Sequence, residues 1–205
     1  MKTRTLLGIA ALGLVVAASF GLSAQEARPG FKPAAPADVF TVDSVHSSVV
    51  FKIQHMGVAN FHGRFNEISG KYAVDPANPA GSQFDFQVKT DSVDTKNEKR
   101  DGHLKSPDFF NATEYPTITF KSTKVAKGPN NQWNVTGDLT LHGVTKPVSV
   151  VVTTFPAKQT KQGYKSGFDA MFTIKRTDFG MDTYVADGSL GDEVQVTVAV
   201  EGAKT

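Results

Sequence analysis

The sequence has no cysteine. That excludes disulfide scaffolds, thiolate zinc sites, Cys nucleophiles and a lipid-modified Cys at the start of a mature lipoprotein. Its 18 Gly and 10 Pro among 205 residues are too few for a collagen-like or low-complexity chain, and 15 Phe argue for a packed fold. Neither sign of charge dominates, with 22 Lys and Arg against 20 Asp and Glu. One domain fits the length and can bury a core without covalent staples.

Only one long apolar run exists, over residues 6–22. Lys2 and Arg4 precede it, and Ser23, Ala24, Gln25 and Glu26 follow, which is the layout of a secretory signal peptide covering 1–24. An uncleaved anchor is the competing reading, because the run is near the lower length of a membrane span. Loss of 1–24 removes two cations and leaves 20 basic against 20 acidic residues, so the whole-chain pI of 8.7 overstates how basic the mature protein is. Nucleic acid, which needs clustered basic surface, is a poor partner. The mature chain is expected to be periplasmic, with no integral membrane span.

Residues 25–37, with three Pro and four Ala, read as a flexible lead-in. From Asp38 to Thr205 the dominant period is two. Phe51, Ile53 and His55 share a face with Val49, while Phe84 and Phe86 alternate with polar neighbours. Further on, Phe120, Leu139 and Phe172 belong to similar alternating runs, and Val194, Val196, Val198 and Val200 close the series. A less regular strand is expected over 64–74 and a short one around Phe40. About eight antiparallel strands follow, as a sandwich or a closed up-and-down barrel. Period alone leaves that choice open, although a barrel of about eight strands can enclose one small ligand.

Residues 91–115 break the alternation. Thr95 followed by Glu98 matches a capping box, predicting a short helix over 96–105. Ser106-Pro107 predicts a second helical turn over 108–110. Together they form a helical crossover lying over a barrel end. Lys96, Lys99, Arg100 and His103 fall at helical spacings, and Arg176 follows a strand where it can stand at a rim.

No catalytic or metal pattern stands out. The five His, at 46, 55, 62, 103 and 142, lack HExxH spacing. The mature chain has no GxSxG elbow, no phosphate loop and no EF-hand spacing. The sequence therefore calls for no metal, no cofactor and no catalytic residue.

Several segments together resemble the YceI-like family of secreted lipid-binding proteins. They are FTVDSVHSSVVFKIQHMG (40–57), GRFNEISG (63–70), RDGHLKSPDFF (100–110), YPTITFKS (115–122), VTGDLTLHGVTKPV (135–148) and KRTDFGM (175–181). The resemblance spans about 38–201. It implies an all-β, extended, lipocalin-like antiparallel barrel whose interior holds a polyisoprenoid or similar long-chain lipid, a bacterial envelope setting, and no established catalytic step. Carried over from its motifs, His55, Arg100, His103 and Arg176 are candidate pocket or rim positions. The expected ligand-binding set adds Phe51, Ile53, Phe84, Phe86, Phe120, Leu139 and Phe172. Two other classes stay open: an enzyme using His55, His103 and Asp101 on a lipid head group, and a solid-cored structural module. A homodimer also stays open.

Overall fold

The computed structural model describes residues 37–205. The segments expected to be a signal peptide (1–24) and a lead-in (25–37) lie, but for residue 37, outside the described residues. In chain order the elements are β1 (Val39–Val42), β2 (Ser48–His55), β3 (Ala59–Phe65), β4 (Ile68–Ala73), β5 (Gln83–Lys89) and β6 (Val93–Asp94). There follow α1 (Glu98–Leu104), β7 (Thr117–Lys127), β8 (Gln132–Leu141), β9 (Val144–Thr160), β10 (Gly163–Lys175) and β11 (Leu190–Lys204).

Three pairs of short strands are halves of single staves. β1 and β2 lie end to end along β11, with Val42 opposite Gly202 and Ser48 opposite Ala199. β4 pairs with β1 and β3 with β2, and in turn β5 pairs with β4 and β6 with β3. Counted as staves, eight antiparallel strands run up and down, and the β1–β11 pairing closes them into a barrel. The sandwich alternative is thereby eliminated.

The breaks in the staves satisfy one another's backbone groups. Asn66 N–H donates to the Ser92 carbonyl at 3.0 Å, Glu67 N–H to Ser92 Oγ at 3.1 Å, and Lys89 N–H to the Glu67 carbonyl at 3.0 Å. A ladder can stop inside a sheet only where such substitutes exist. The β8–β9 turn is a two-residue hairpin, His142-Gly143, with φ of 51° and 73°. Two positive φ angles fit the twist of the flanking strands, and Gly143 adopts its own without a Cβ penalty.

β8 shows the alternation most cleanly, with Trp133, Val135, Leu139 and Leu141 buried and Asn134 and Asp138 exposed. Apolar inside and polar outside is the reverse of a transmembrane barrel. Among the described residues no helix is long and apolar enough to cross a membrane.

The two ends of the barrel differ. At the end holding β1 and the β11 terminus, aromatic rings fill the interior: Tyr72 stacks on Phe40 at 5.4 Å and meets Phe168 edge-on at 5.1 Å. Burial pushes the Tyr72 phenol up to about 12, so it stays neutral. At the other end the connection carrying α1 covers part of the opening.

That connection differs from the capping-box expectation. Asn97 is the N-cap, its Oδ1 accepting from Arg100 N–H at 3.0 Å, and the helix starts at Glu98. Thr95 is buried and serves as an anchor instead. Its N–H and hydroxyl both engage the Asp101 carboxylate, while Arg100 Nε donates to its Oγ1 at 2.7 Å. Residues 108–110 form no helix. The Ser106 carbonyl accepts from Phe109 and Asn111 in tight turns, with Asn111 at φ 45°.

Candidate functional site

A cavity of about 670 Å³ occupies the barrel from its middle to the α1 end. It reaches the surface there, because His55, Met56, Arg100 and Tyr184 both line it and are exposed. On β11 the lining runs from Leu190 to Val198, eight residue steps. At ~3.3 Å per residue this is about 26 Å along the strand, or roughly 20 Å of depth for a usual barrel tilt.

All eleven residues expected from the sequence line this cavity. Phe51 and Ile53 come from β2, Phe84 and Phe86 from β5, Phe120 from β7, Leu139 from β8 and Phe172 from β10. Burial separates floor from wall. Phe84 and Phe168 are almost fully buried, whereas Phe86, Phe120 and Phe172 point inward yet are only half-buried. An inward ring that keeps its exposure faces a void, not a packed core.

Polar lining is sparse and, apart from Thr119 and Arg176, gathers at the mouth. The Arg100 guanidinium lies 4.4 Å above the Phe61 ring and donates through Nη2 to the Thr95 carbonyl at 2.8 Å. His103 pairs through Nε2 with Asp108 at 3.0 Å, and its ring stands edge-on to Phe109 at 5.0 Å. Asp101 is turned to Thr95, so the carboxylate beside His103 is Asp108. His55 ends β2 at the rim.

Arg176 is in the wall rather than on the rim, with only 4% of its surface exposed. Its Nε donates to the Gly191 carbonyl at 2.9 Å, Nη1 to Met181 at 3.1 Å and Nη2 to Leu190 at 3.4 Å. Burial pushes the guanidinium below its ordinary value, while the Asp192 and Asp182 carboxylates oppose that. This side chain ties the 181–191 segment to the barrel.

Outside the cavity, Asp43, His46 and Glu201 bring ligand-type atoms together. The Lys165 ammonium already bridges both carboxylates there, at 3.1 Å and 2.9 Å, so the chain supplies its own cation.

Sequence reasoning missed several lining side chains. Phe61 and Phe65 on β3 follow the same period two as their neighbours, with Gly63 as the inward residue between them. Phe109, Phe110 and Tyr184 sit on turns, where no periodicity announces them.

Comparison with known proteins agrees with this architecture. The family model for the YceI-like domain matches residues 40–202. A UPF0312 protein of Pectobacterium carotovorum is 35% identical over 210 residues, covering 100% of this chain and 99% of the relative. BcnA of Burkholderia cenocepacia superposes with a TM-score of 0.72 at 28% identity, over 78% of this chain and 98% of that one. A polyisoprenoid binding domain from Saccharophagus degradans has a TM-score of 0.65 at 16% identity, over 81% and 98% of the two chains. With nearly the whole barrel inside the family model, the chain belongs to the YceI-like family.

Proposed function

We propose that this protein sequesters or carries a long-chain isoprenoid, or a similar amphiphilic lipid, in the bacterial periplasm, reached through a cleaved signal peptide, and that it performs no chemistry on its cargo. The carrying observation is the cavity itself: apolar walls, an aromatic floor and polar groups concentrated at the open end. That polarity matches a molecule with one long tail and one polar head. The polyisoprenoid ligand of the Saccharophagus domain supports the same class of cargo.

Burial of ten methylenes nominally yields ~8 kcal/mol, against which lost translation and chain ordering take back several. The tail therefore supplies most of the affinity. The position of Arg100 and His103 in the lining at the mouth supports a role for them in meeting the head. Selectivity should follow tail length and branching.

The test is organic extraction of protein purified without detergent from the periplasm of its native envelope, followed by mass spectrometry. A long-chain apolar compound is expected at near one per protein. Protein that emerges empty and takes up no fluorescent prenyl lipid from detergent micelles would overturn the reading. Trp133 is not among the lining residues, so the reporter has to be on the lipid. Replacing either His55 or His103 singly by Ala should change tail affinity by less than about tenfold, since one hydrogen bond is worth about 1 kcal/mol.

A further inference from the structure

The bore of the cavity is wider than an unbranched hydrocarbon chain needs. A volume of about 670 Å³ over a depth of roughly 20 Å gives a mean cross-section of about 34 Å². An extended chain advances about 1.2 Å per bond, a third of the fully extended residue repeat. A methylene is close to a water molecule in size, roughly 30 Å³ in a liquid. A straight alkyl chain therefore fills about 25 Å² and leaves about a quarter of this bore empty. A chain with a methyl branch on every fourth carbon, as in an isoprenoid, fills about 31 Å².

Glycine builds this width into the wall. Gly63, Gly70 and Gly137 occupy inward positions on β3, β4 and β8, and each receives a phenylalanine ring that lines the cavity. At Gly63 a Cβ would meet the Phe51 ring; at Gly70 it would come within 2.9 Å of Phe86 Cδ1, and at Gly137 within 2.5 Å of Phe120 Cζ. Gly63 and Gly70 stand directly opposite their rings across a strand pair. Seated against neighbouring backbone, the three rings leave the axis of the bore free. Side chains at those glycines would drive them inward.

Length is bounded as well, because the buried Phe84 and Phe168 close the inner end. Roughly 20 Å holds about seventeen bonds, which is four isoprene units of four chain bonds each. Four units carry twenty carbons and fill about 600 Å³ of the 670 Å³ available. Depth and volume, taken separately, give the same chain.

We infer that the cavity is cut for a methyl-branched tail of about four isoprene units, and that much longer tails are poor cargo because their excess has to leave the mouth. The inference rests on the lipid-cargo reading and narrows it to the tetraprenyl class. Each unit beyond the fourth stands in water with its apolar surface unshielded.

Competition between tails tests this. Delipidated mature protein is mixed with detergent micelles holding equimolar farnesol, geranylgeraniol, solanesol and unbranched hexadecanol, with three, four, nine and no isoprene units. Detergent is then removed, and the captured alcohols are extracted and quantified by mass spectrometry. Geranylgeraniol should exceed solanesol and hexadecanol at least about tenfold each, and farnesol several-fold. Hexadecanol matches the main chain of geranylgeraniol in length, so that ratio reads branching alone. Gly63→Ala, which moves the Phe51 ring inward, should cut the geranylgeraniol-to-hexadecanol ratio several-fold.

Capture of solanesol at or above the level of geranylgeraniol would overturn the length limit and leave the cargo reading standing. Equal capture of hexadecanol would overturn the branched bore in the same way. Protein that captures none of the four alcohols would overturn the cargo reading, and the inference with it. An unchanged ratio in Gly63→Ala would overturn the glycine-set width, and the wild-type ratios decide the inference even if that variant does not fold.

Discussion

Phe168 stands edge-on to Phe84, their ring centroids 5.6 Å apart at 89°. The pair forms the cavity floor, with Tyr72 behind both rings at 5.1 Å and 6.3 Å. Edge-to-face contacts between buried aromatics hold a defined geometry, so this floor sets where a tail must stop. Phe168→Ala removes one floor ring and opens the space in front of Tyr72. Lipid extracted from the variant should shift toward longer or more branched tails. The empty protein should lose about 3–5 kcal/mol of stability, as a buried Phe→Ala change does. Mass spectra of the extract and urea unfolding of the delipidated protein check both, and an unchanged tail distribution would remove Phe168 from the floor.

Gly63 is required by a cavity-lining ring rather than by its own backbone. A Cβ placed there would come within 2.2 Å of Phe51 Cζ. Phe51 and Gly63 are opposite each other across β2 and β3, and the absent side chain is what lets the ring lie flat on the neighbouring strand. Gly63→Ala would push that ring toward the cavity centre. Prenyl-lipid uptake should fall several-fold. A destabilisation of about 1–3 kcal/mol is expected from the overpacking. Restoration of uptake in Gly63→Ala with Phe51→Leu would show that the ring was the obstacle.

Much of this barrel is legible in sequence because its walls obey a single period. β8 could be read residue by residue, since Trp133, Val135, Leu139 and Leu141 need no knowledge of the partner strand to be placed inside. The three divided staves could not be read. Their breaks are satisfied by groups far away in sequence, as when Ser92 receives Asn66 and Glu67. Thr95 and Glu98 match a capping box locally, but the Asp101 carboxylate and the Arg100 guanidinium compete for Thr95 and move the cap to Asn97. Hollowness is the deepest omission. Phe84 and Phe86 lie two residues apart on one face, yet one is packed into the floor and the other borders a void. The family resemblance supplied the expectation of a hollow barrel, which the alternation alone left open.

Arg176 makes a separate prediction because its charge is buried and its partners are carbonyls. Arg176→Met leaves the Gly191, Met181 and Leu190 carbonyls without their donor, each at a cost of roughly 1–3 kcal/mol if water cannot replace it. The 181–191 segment forms one side of the mouth, so it should loosen before the barrel unfolds. Hydrogen exchange should accelerate over that segment, and release of bound lipid should quicken. Arg176→Lys should recover only part of the effect, because one ammonium cannot span three carbonyls arranged for a planar fork. Normal exchange in Arg176→Met would show that the guanidinium does not hold the segment.

At the closed end, Asp43 ties the loop between β1 and β2 to the barrel wall. Its carboxylate accepts from His46 Nδ1 at 3.0 Å and Lys165 Nζ at 3.1 Å, and from Val45 N–H at 3.1 Å. These bonds, His46 foremost and Lys165 next, hold its pKa at about 2 against an ordinary 3.8. A carboxyl lowered by folding stabilises the native state fully above its unfolded value, and that contribution disappears as pH falls through the folded one. Wild type should therefore lose the Asp43 contribution between about pH 4 and pH 2. Asp43→Asn should be less stable than wild type near neutrality, and the gap should narrow through the same acid window. Urea unfolding of both proteins at about pH 7, 4 and 2.5 reads the difference directly. A gap that stays constant with pH would mean that Asp43 acts through packing and hydrogen-bond geometry instead of its charge.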